Sequence, residues 1–421
     1  MDHVTGVQCL LCGKRYKTDE IDYVCPDHGD EGIVNLEYDY ERIARHFKRD
    51  DLAASSDDGM WRYKPLLPVD PAADVPPLKV GQTPLYPSPV LADRFGLKQV
   101  FIKDEGCQPT GSLKDRASSL AVVKAREKNA AIIATASTGN AGAALSGLCA
   151  SVQQPNLIFI PENAPRAKIA QLLVFGSKVL LVQGSYDDAY ALCQDATRAY
   201  GWYNRNTGYN PYMSEGKKTA AFEICEQMGW EPPDTIFVSV GDGCIIGGLH
   251  KGLKDLHAMG WIDRIPRLIG VQAQGSDYLF QAWKNGENVV NKSPIEAQTI
   301  ADSICAGLPR DRIKAMAAVK ETNGAFIRVS DESIVAAISE LARVTGVFAE
   351  PAGAAPYAGL VKALEEGLVA RDEVAVILVS GNGLKDIAAA MESAERNGSR
   401  PLTVKPELDD VKRAISDTSL V

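Results

Sequence analysis

Four segments of the 421-residue chain place residue types that do chemistry just beyond short apolar runs. The first, KDEGCQPTGSLKDRASSLAV, leads a turn-rich stretch (108–111) into a helix whose apolar stripe is Leu113, Ala117, Leu120 and Ala121. Lys114 then falls in the first helical turn, where the helix dipole disfavours a cation. A lysine whose amine tends to be neutral is what Schiff-base chemistry needs; an ordinary solvated lysine is the alternative. The second, ATASTGNAGAALSG, runs a strand into Ser137, Thr138, Gly139 and Asn140 and then a helix of small residues. Hydroxyls and unpaired N–H groups converge there on an anion site suited to a carboxylate, or form a plain N-cap. The third, VSVGDGCIIGGLHKG, sets a glycine-rich turn before a helix, as a single phosphate requires. A dinucleotide fingerprint fails, because Ile246 stands where the third glycine is needed and Gly247 comes one residue late. The fourth, VAVILVSGNGLKD, ends a strand at Ser380, a hydroxyl able to meet the ring nitrogen of a cofactor or to cap the next helix.

A fifth cluster lies at the front. Cys9 and Cys12 form a C-x2-C pair, and twelve residues later comes Cys25-Pro-Asp-His28, with Gly13 and Gly29 closing each knuckle. Three thiols and an imidazole in two tight turns offer the tetrahedron that structural zinc prefers, with no position left open for catalysis. A small hairpin without metal is the alternative. The remaining six cysteines (Cys107, Cys149, Cys193, Cys225, Cys244, Cys305) are scattered, and each is expected to be a buried small hydrophobe.

The elements that must position these groups follow from periodicity. Asp39 is expected to cap a short helix over 39–50. Eight of the 23 prolines fall between Pro65 and Pro89, which predicts an extended connector without packed elements. From about residue 95, runs such as QVFIK, AIIATA, NLIFI, KVLLVQ, TIFVSV, RLIGVQ and VAVILVS alternate with helical stretches, for example between Ser330 and Gly346. Continuous apolar strands separated by helices predict parallel sheets covered on both faces, and the number of runs suits two α/β lobes. Ligands then bind beyond the carboxyl ends of the strands, where the four motifs fall.

Composition narrows the function classes. Forty-five Lys+Arg against 54 Asp+Glu give a net charge of −9, the opposite of a nucleic-acid footprint, so any anion site must be local. No run of about 18 apolar residues and no secretory leader is present, so a cytoplasmic protein without a membrane segment is expected.

The order of the motifs, with NPYMSEGKKTAAFE and EPAGAA between them, resembles the β-family (fold type II) of pyridoxal-phosphate enzymes, and within it the threonine synthases. The resemblance covers about residues 80–395, and the cysteine knuckle also occurs in some members. It implies a two-lobed α/β enzyme with parallel-type sheets, preceded by a small zinc-ribbon-like segment. The expected organisation is a knuckle at 1–36, a helix and Pro-rich connector at 37–94, a large cofactor-binding lobe from 95–125 plus 230–400, a small mobile lobe at 126–229, and a tail at 401–421. It further implies Lys114 as the Schiff-base lysine and general base, Asn140 at the cofactor's 3-hydroxyl, Gly241, Asp242, Gly243 and Cys244 at its phosphate, and Ser380 at its pyridine nitrogen. Ser137 and Thr138 would hold the carboxylate of an amino-acid substrate. A neutral hydroxyl at the pyridine favours elimination and replacement over transamination. The implied reaction turns O-phosphohomoserine and water into threonine and phosphate, in a homodimer.

The chain departs from the family pattern at three points: Ala141 replaces a hydroxyl, the phosphate loop reads GDGCI, and Asn382 stands in the last motif. Arg166, Lys168, Lys217 and Lys218 are the candidate cations for the substrate phosphate. A dehydratase, a phosphoserine-using synthase and a ligand-binding homologue without turnover stay open as alternatives.

Overall fold

Both faces of a six-stranded sheet are buried, which is why its strands read as unbroken apolar runs. Ile236, Val238, Val376 and Leu378 pack on one side and Phe237, Ile377 and Val379 on the other. The computed structural model describes residues 2–137, 139–162, 164 and 166–416, without the side chains of Arg166, Ala167, Lys168 and Ser416. In spatial order the strands are Ala325–Val329, Arg267–Ala273, Thr235–Ser239, Val374–Val379, Gln99–Asp104 and Leu85–Pro87. All pairs are parallel except the last, where Leu85–Pro87 runs antiparallel along the edge. A second, wholly parallel sheet has the order Lys178–Val182, Asn156–Pro161, Ile133–Ala136, Tyr203–Asn204. All seven predicted runs form strands. Those absent from the sequence reading are Ala325–Val329, Leu85–Pro87, the two-residue Tyr203–Asn204 and the strands of the front segment. Lys178–Val182 is an edge strand whose successive residues Leu180 and Leu181, on opposite faces, are both exposed, so the expected covering of both faces fails at this edge.

The front segment is a three-stranded antiparallel sheet, Arg15–Tyr16, Val4–Cys9 and Val34–Tyr38. Gly13 (φ 73°) and Gly29 (φ 53°) take the left-handed conformation that each knuckle needs. Its buried Val7, Val34, Leu36 and Tyr38 belong to the same apolar cluster as Met60, Trp61, Tyr63 and Phe222 of the body. The capped helix appears as Tyr40–His46, with the Asp39 carboxylate accepting from the Arg42 N–H at 2.9 Å. The proline-rich stretch differs from expectation. It carries the 3-10 helix Met60–Leu66, with Leu66, Leu67, Val69 and Val80 buried, and the helix Pro89–Phe95. Proline removes donors but leaves side chains free to pack, and here the apolar residues between the prolines do so.

The helix Lys114–Glu127 joins the two sheets and is pinned by a fully buried ion network. Arg116 donates to Glu105 at 2.7 and 2.8 Å and to Glu223 at 2.6 and 2.7 Å, and Lys103 adds a 2.8 Å bond to Glu223. Two cations meet two carboxylates with no net buried charge. Burial opposes ionisation of Glu223, but Arg116 and Lys103 hold it down to about 2. The helix Tyr212–Lys217 packs against this one at Gly216, where a Cβ would lie 2.4 Å from the Arg116 carbonyl oxygen. Arg116→Met strands two carboxylates around one lysine and should cost about 3–5 kcal/mol of unfolding free energy. Urea denaturation followed by circular dichroism measures it, and a loss below 1 kcal/mol contradicts the anchoring role (roughly the range of a surface pair).

Candidate active site

The four chemical motifs converge between the two sheets. The loop before Lys114 and the loop after Val379 are stitched by main-chain bonds, Leu113 N–H to Ser380 O at 3.0 Å and Asn382 N–H to Gly111 O at 2.9 Å. The Asp115 carboxylate accepts from the Thr110 N–H at 2.7 Å and closes the turn that precedes Lys114. Lys114 starts its helix as predicted and faces a cavity of about 620 Å³. Ser137, Asn140, Lys217 and Ser380 line the same cavity. So do Gly241, Asp242, Gly243 and Cys244 from the loop after Thr235–Ser239. The three strand ends of the large sheet and that of Ile133–Ala136 all open here, as an open parallel sheet requires.

The amine of Lys114 is pulled down to about 8, first by burial and then by the neighbouring Lys217 ammonium. Asn140, the first residue of the helix Asn140–Ser151, donates to the Glu350 carboxylate at 2.6 Å, which fixes the orientation of its amide. Ser380 is buried with its hydroxyl 3.4 Å from that of Ser239, a neutral pair. Gly243 (φ 92°) caps the helix Cys244–Ala258 in a conformation that side chains avoid, and a Cβ there would lie 2.7 Å from Ala315. A Cβ on Gly241 would lie 2.7 Å from the Ile304 Cα, so both positions depend on glycine to bring main-chain amides to the helix start. The Asp242 carboxylate lies off the main-chain cradle: it accepts from the Arg310 N–H at 3.2 Å, and burial raises its pKa.

Positive charge dominates the rest of the lining. Arg205 is fully buried, donates to the Ser118 hydroxyl at 3.1 and 3.2 Å, and makes no ion pair among the described residues. Burial lowers its pKa to about 10. Lys217 is likewise buried at the cavity wall without an ion pair among the described residues. Lys218 is a correction: its ammonium pairs with Glu215 at 2.5 Å and Asp255 at 2.7 Å and lies 4.2 Å above the Tyr38 ring, away from the cavity. Thr138 and the side chains of Arg166 and Lys168 lie outside the described residues. Arg205, Glu350, Ser239 and Ser303 were not foreseen. Arg205 follows a strand of two residues, too short for a periodicity signal, although the strand-end rule reaches it once that strand is known.

The cysteines divide. Cys149, Cys193, Cys225 and Cys244 are buried as expected, but Cys107 is exposed and Cys305 only half-buried at the cavity. Cys107 donates to the Asp104 carboxylate at 3.2 Å, and burial and that carboxylate raise its pKa to about 11. In the front segment the ligand atoms of Cys9, Cys12, Cys25 and His28 all lie within 4.8 Å of one another. The Cys12 and Cys25 sulfurs are 4.0 Å apart. Two sulfurs bound to one tetrahedral zinc stand about 3.8 Å apart, so the thiol-rich donor set fits that ion.

This geometry has relatives. A threonine synthase of Methanocaldococcus jannaschii is 37% identical over 413 residues, covering 97% of this chain and 99% of that one. The threonine synthase of Synechocystis is 36% identical over 363 residues, 84% of this chain and 91% of its own length. Among solved structures, the processed threonine deaminase isoform 2 of Solanum lycopersicum superposes with a TM-score of 0.66 at 21% identity, covering 84% of this chain and 90% of that one, a likeness of fold. The family described as "Pyridoxal-phosphate dependent enzyme" matches residues 77–381. With a neutral-prone lysine, a glycine cradle and a hydroxyl pair around one cavity, the chain belongs to the fold type II pyridoxal-phosphate-dependent enzymes and, within them, to the threonine synthase family.

Proposed function

We propose that the protein converts O-phosphohomoserine and water to threonine and inorganic phosphate, by elimination of phosphate from Cγ and addition of water at Cβ. The observation that carries the phosphorylated substrate is the pair of buried cations, Arg205 and Lys217, that face the cavity beside Lys114 without ion pairs among the described residues. A buried guanidinium without a carboxylate is costly unless a ligand supplies the anion.

The cavity residues fit pyridoxal phosphate: the amides of 241–244 would hold its phosphate, Asn140 its 3-hydroxyl and Ser380 its ring nitrogen. Bound there, the cofactor supplies an electron sink for charge developing at the Cα of an amino acid. The neutral Ser380–Ser239 pair leaves that sink modest, which favours loss of a leaving group over transamination. Ser137 and the N–H groups at the start of the helix Asn140–Ser151 would grip the substrate carboxylate and fix its Cα–H bond against Lys114. Lys114, whose amine is neutral near pH 8, is placed to take the Cα and then a Cβ proton. Arg205 and Lys217 would neutralise the phosphate as its bond to Cγ breaks. The front segment would hold zinc through Cys9, Cys12, Cys25 and His28, a closed donor set with no position for substrate.

Three measurements test this. Cofactor-free protein should take up pyridoxal phosphate at a rate that levels off above about pH 8 and falls about tenfold per unit below it, since protonation removes the nucleophile. The visible absorption band reports uptake, and Lys114→Ala should never develop it; a pH-independent rate contradicts the assignment. Arg205→Met should raise KM for O-phosphohomoserine about thirtyfold or more, as for a lost buried charge contact, with that band retained. Assays with O-phosphohomoserine, O-phosphoserine, serine and threonine settle the substrate: oxoacid and ammonia in place of threonine and phosphate overturn the reading.

A further inference from the structure

The cations facing the cavity are carried on short segments. Arg205 follows the two-residue edge strand Tyr203–Asn204, and Lys217 ends the six-residue helix Tyr212–Lys217. Alternate N–H groups of the edge strand, those of Tyr203 and Arg205, bond inward to the neighbouring strand at 2.9 Å. The N–H of Asn204 points the other way and is buried, so it needs an acceptor from elsewhere. The front segment supplies it: the Tyr23 hydroxyl accepts from the Asn204 N–H at 3.1 Å, and its ring packs on Tyr203 and Tyr209 with centroids at 5.8 and 5.1 Å.

A second brace comes from the same segment. The buried Tyr38 hydroxyl donates to the Glu215 carboxylate at 2.5 Å, two residues before Lys217. The Tyr38 ring lies under the Lys218 and Lys251 ammoniums at 4.2 and 4.5 Å, and Tyr40 bonds Asp255 at 2.6 Å, so the contact is part of a buried ion network. A third joins Glu31 to Arg312, two residues beyond the cavity-lining Arg310. Tyr23 lies on a loop and Glu31 ends the 3-10 helix Pro26–Glu31, and neither segment contributes a buried apolar side chain between residues 17 and 24 or between 26 and 31. The Cys9, Cys12, Cys25 and His28 cluster lies at the base of these segments, and a bound metal would close them.

The geometry points to the metal-held ribbon as a positioning device for substrate recognition: Tyr23 clamps the backbone that presents Arg205, and Tyr38, through the Glu215 carboxylate, clamps the helix that presents Lys217, so the affinity of the cavity for a phosphate anion depends on occupancy of the Cys9–Cys12–Cys25–His28 site. This rests on the proposed phosphate site. Neither tyrosine touches substrate or cofactor; both act through the segments they hold. Zinc occupancy closes the loop that carries the Tyr23 hydroxyl, the strand Val34–Tyr38 that pairs with Cys9 carries the Tyr38 hydroxyl, and the two hydroxyls set the positions of a guanidinium and an ammonium.

The test uses holoenzyme, with the glycine loop already filled by cofactor, and inorganic phosphate as the probe in calorimetric titrations. Stripping the metal with a chelator, confirmed by metal analysis, should raise the phosphate Kd roughly tenfold, the size of a typical coupling between sites, with circular dichroism and the visible band unchanged. With metal bound, Tyr23→Phe and Tyr38→Phe should each raise the phosphate Kd and the KM for phosphorylated substrate several-fold (roughly, as for one lost buried hydrogen bond) while kcat holds. A tyrosine with only a structural role would lower the melting temperature and move neither constant. Unchanged phosphate affinity in folded metal-free protein overturns the inference. If the metal-free protein unfolds, the two tyrosine variants decide, and unchanged constants in both overturn it. Wild-type holoenzyme that binds no phosphate shows instead that the underlying phosphate site is wrong, and the inference falls with it.

Discussion

Unpaired positive charge lining one cavity is the constraint around which this structure is arranged. Elsewhere the chain compensates its buried cations closely: Lys103 and Arg116 meet Glu105 and Glu223, and Lys218 and Lys251 meet Glu215 and Asp255. Lys114, Arg205 and Lys217 have no such partners among the described residues, and all three face one cavity. A protein with a net charge of −9 that leaves three cations uncompensated at one place has built a local receptor for anions. Burial, and then the neighbouring Lys217 ammonium, lowers the Lys114 pKa, so a cation that recruits anionic ligands also helps prepare the nucleophile.

Holding that charge in place requires rigid surroundings, and the fold supplies them from both sides. The main-chain bonds between the loops at 111–113 and 380–382 fix the start of the lysine helix to the last strand of the large sheet. The Arg116 network fixes the next turn of the same helix to Glu105 and Glu223. Gly216 lets the Lys217 helix approach the lysine helix more closely than any side chain would allow. The cost of desolvating Lys114 is therefore met by interactions within two turns of it, which keeps strain out of the cavity itself.

Much of this was legible in the sequence because it depends on local pattern. Lys114, Asn140, the glycine loop and Ser380 each sit at the end of an apolar run, and the rule that ligands bind beyond strand ends brings them together without coordinates. The cap at Asp39 and the turn glycines of the knuckles follow from side-chain and backbone chemistry within a few residues. What escaped depends on tertiary contact. Arg205 has no periodic run before it, because its strand exists through pairing with Ile133 and Ala134. Lys218 and Lys217 are adjacent and alike in sequence, yet helix rotation sends one to Asp255 and the other to the cavity. The proline-rich stretch carries an apolar load that only packing against the body reveals.

The departures from the family pattern also fall into place around the charge. Ala141 lines the cavity where the family has a hydroxyl, so one neutral contact for an anion is absent. In the proposed reading Arg205, buried and lining the same cavity, offers a stronger replacement, since a charge-assisted bond outweighs a neutral one by roughly twofold. Asp242, which would repel a phosphate if turned inward, instead accepts from the Arg310 main chain, and Arg310 itself pairs with Asp187 at 2.9 Å across the cavity mouth. The substituted residues thus leave the cradle with its donors intact and shift recognition toward cations whose placement depends on distant segments. A site built that way gains strength per contact but becomes sensitive to whatever positions those segments, which is the physical reason the ribbon at the front of the chain matters to chemistry at its centre.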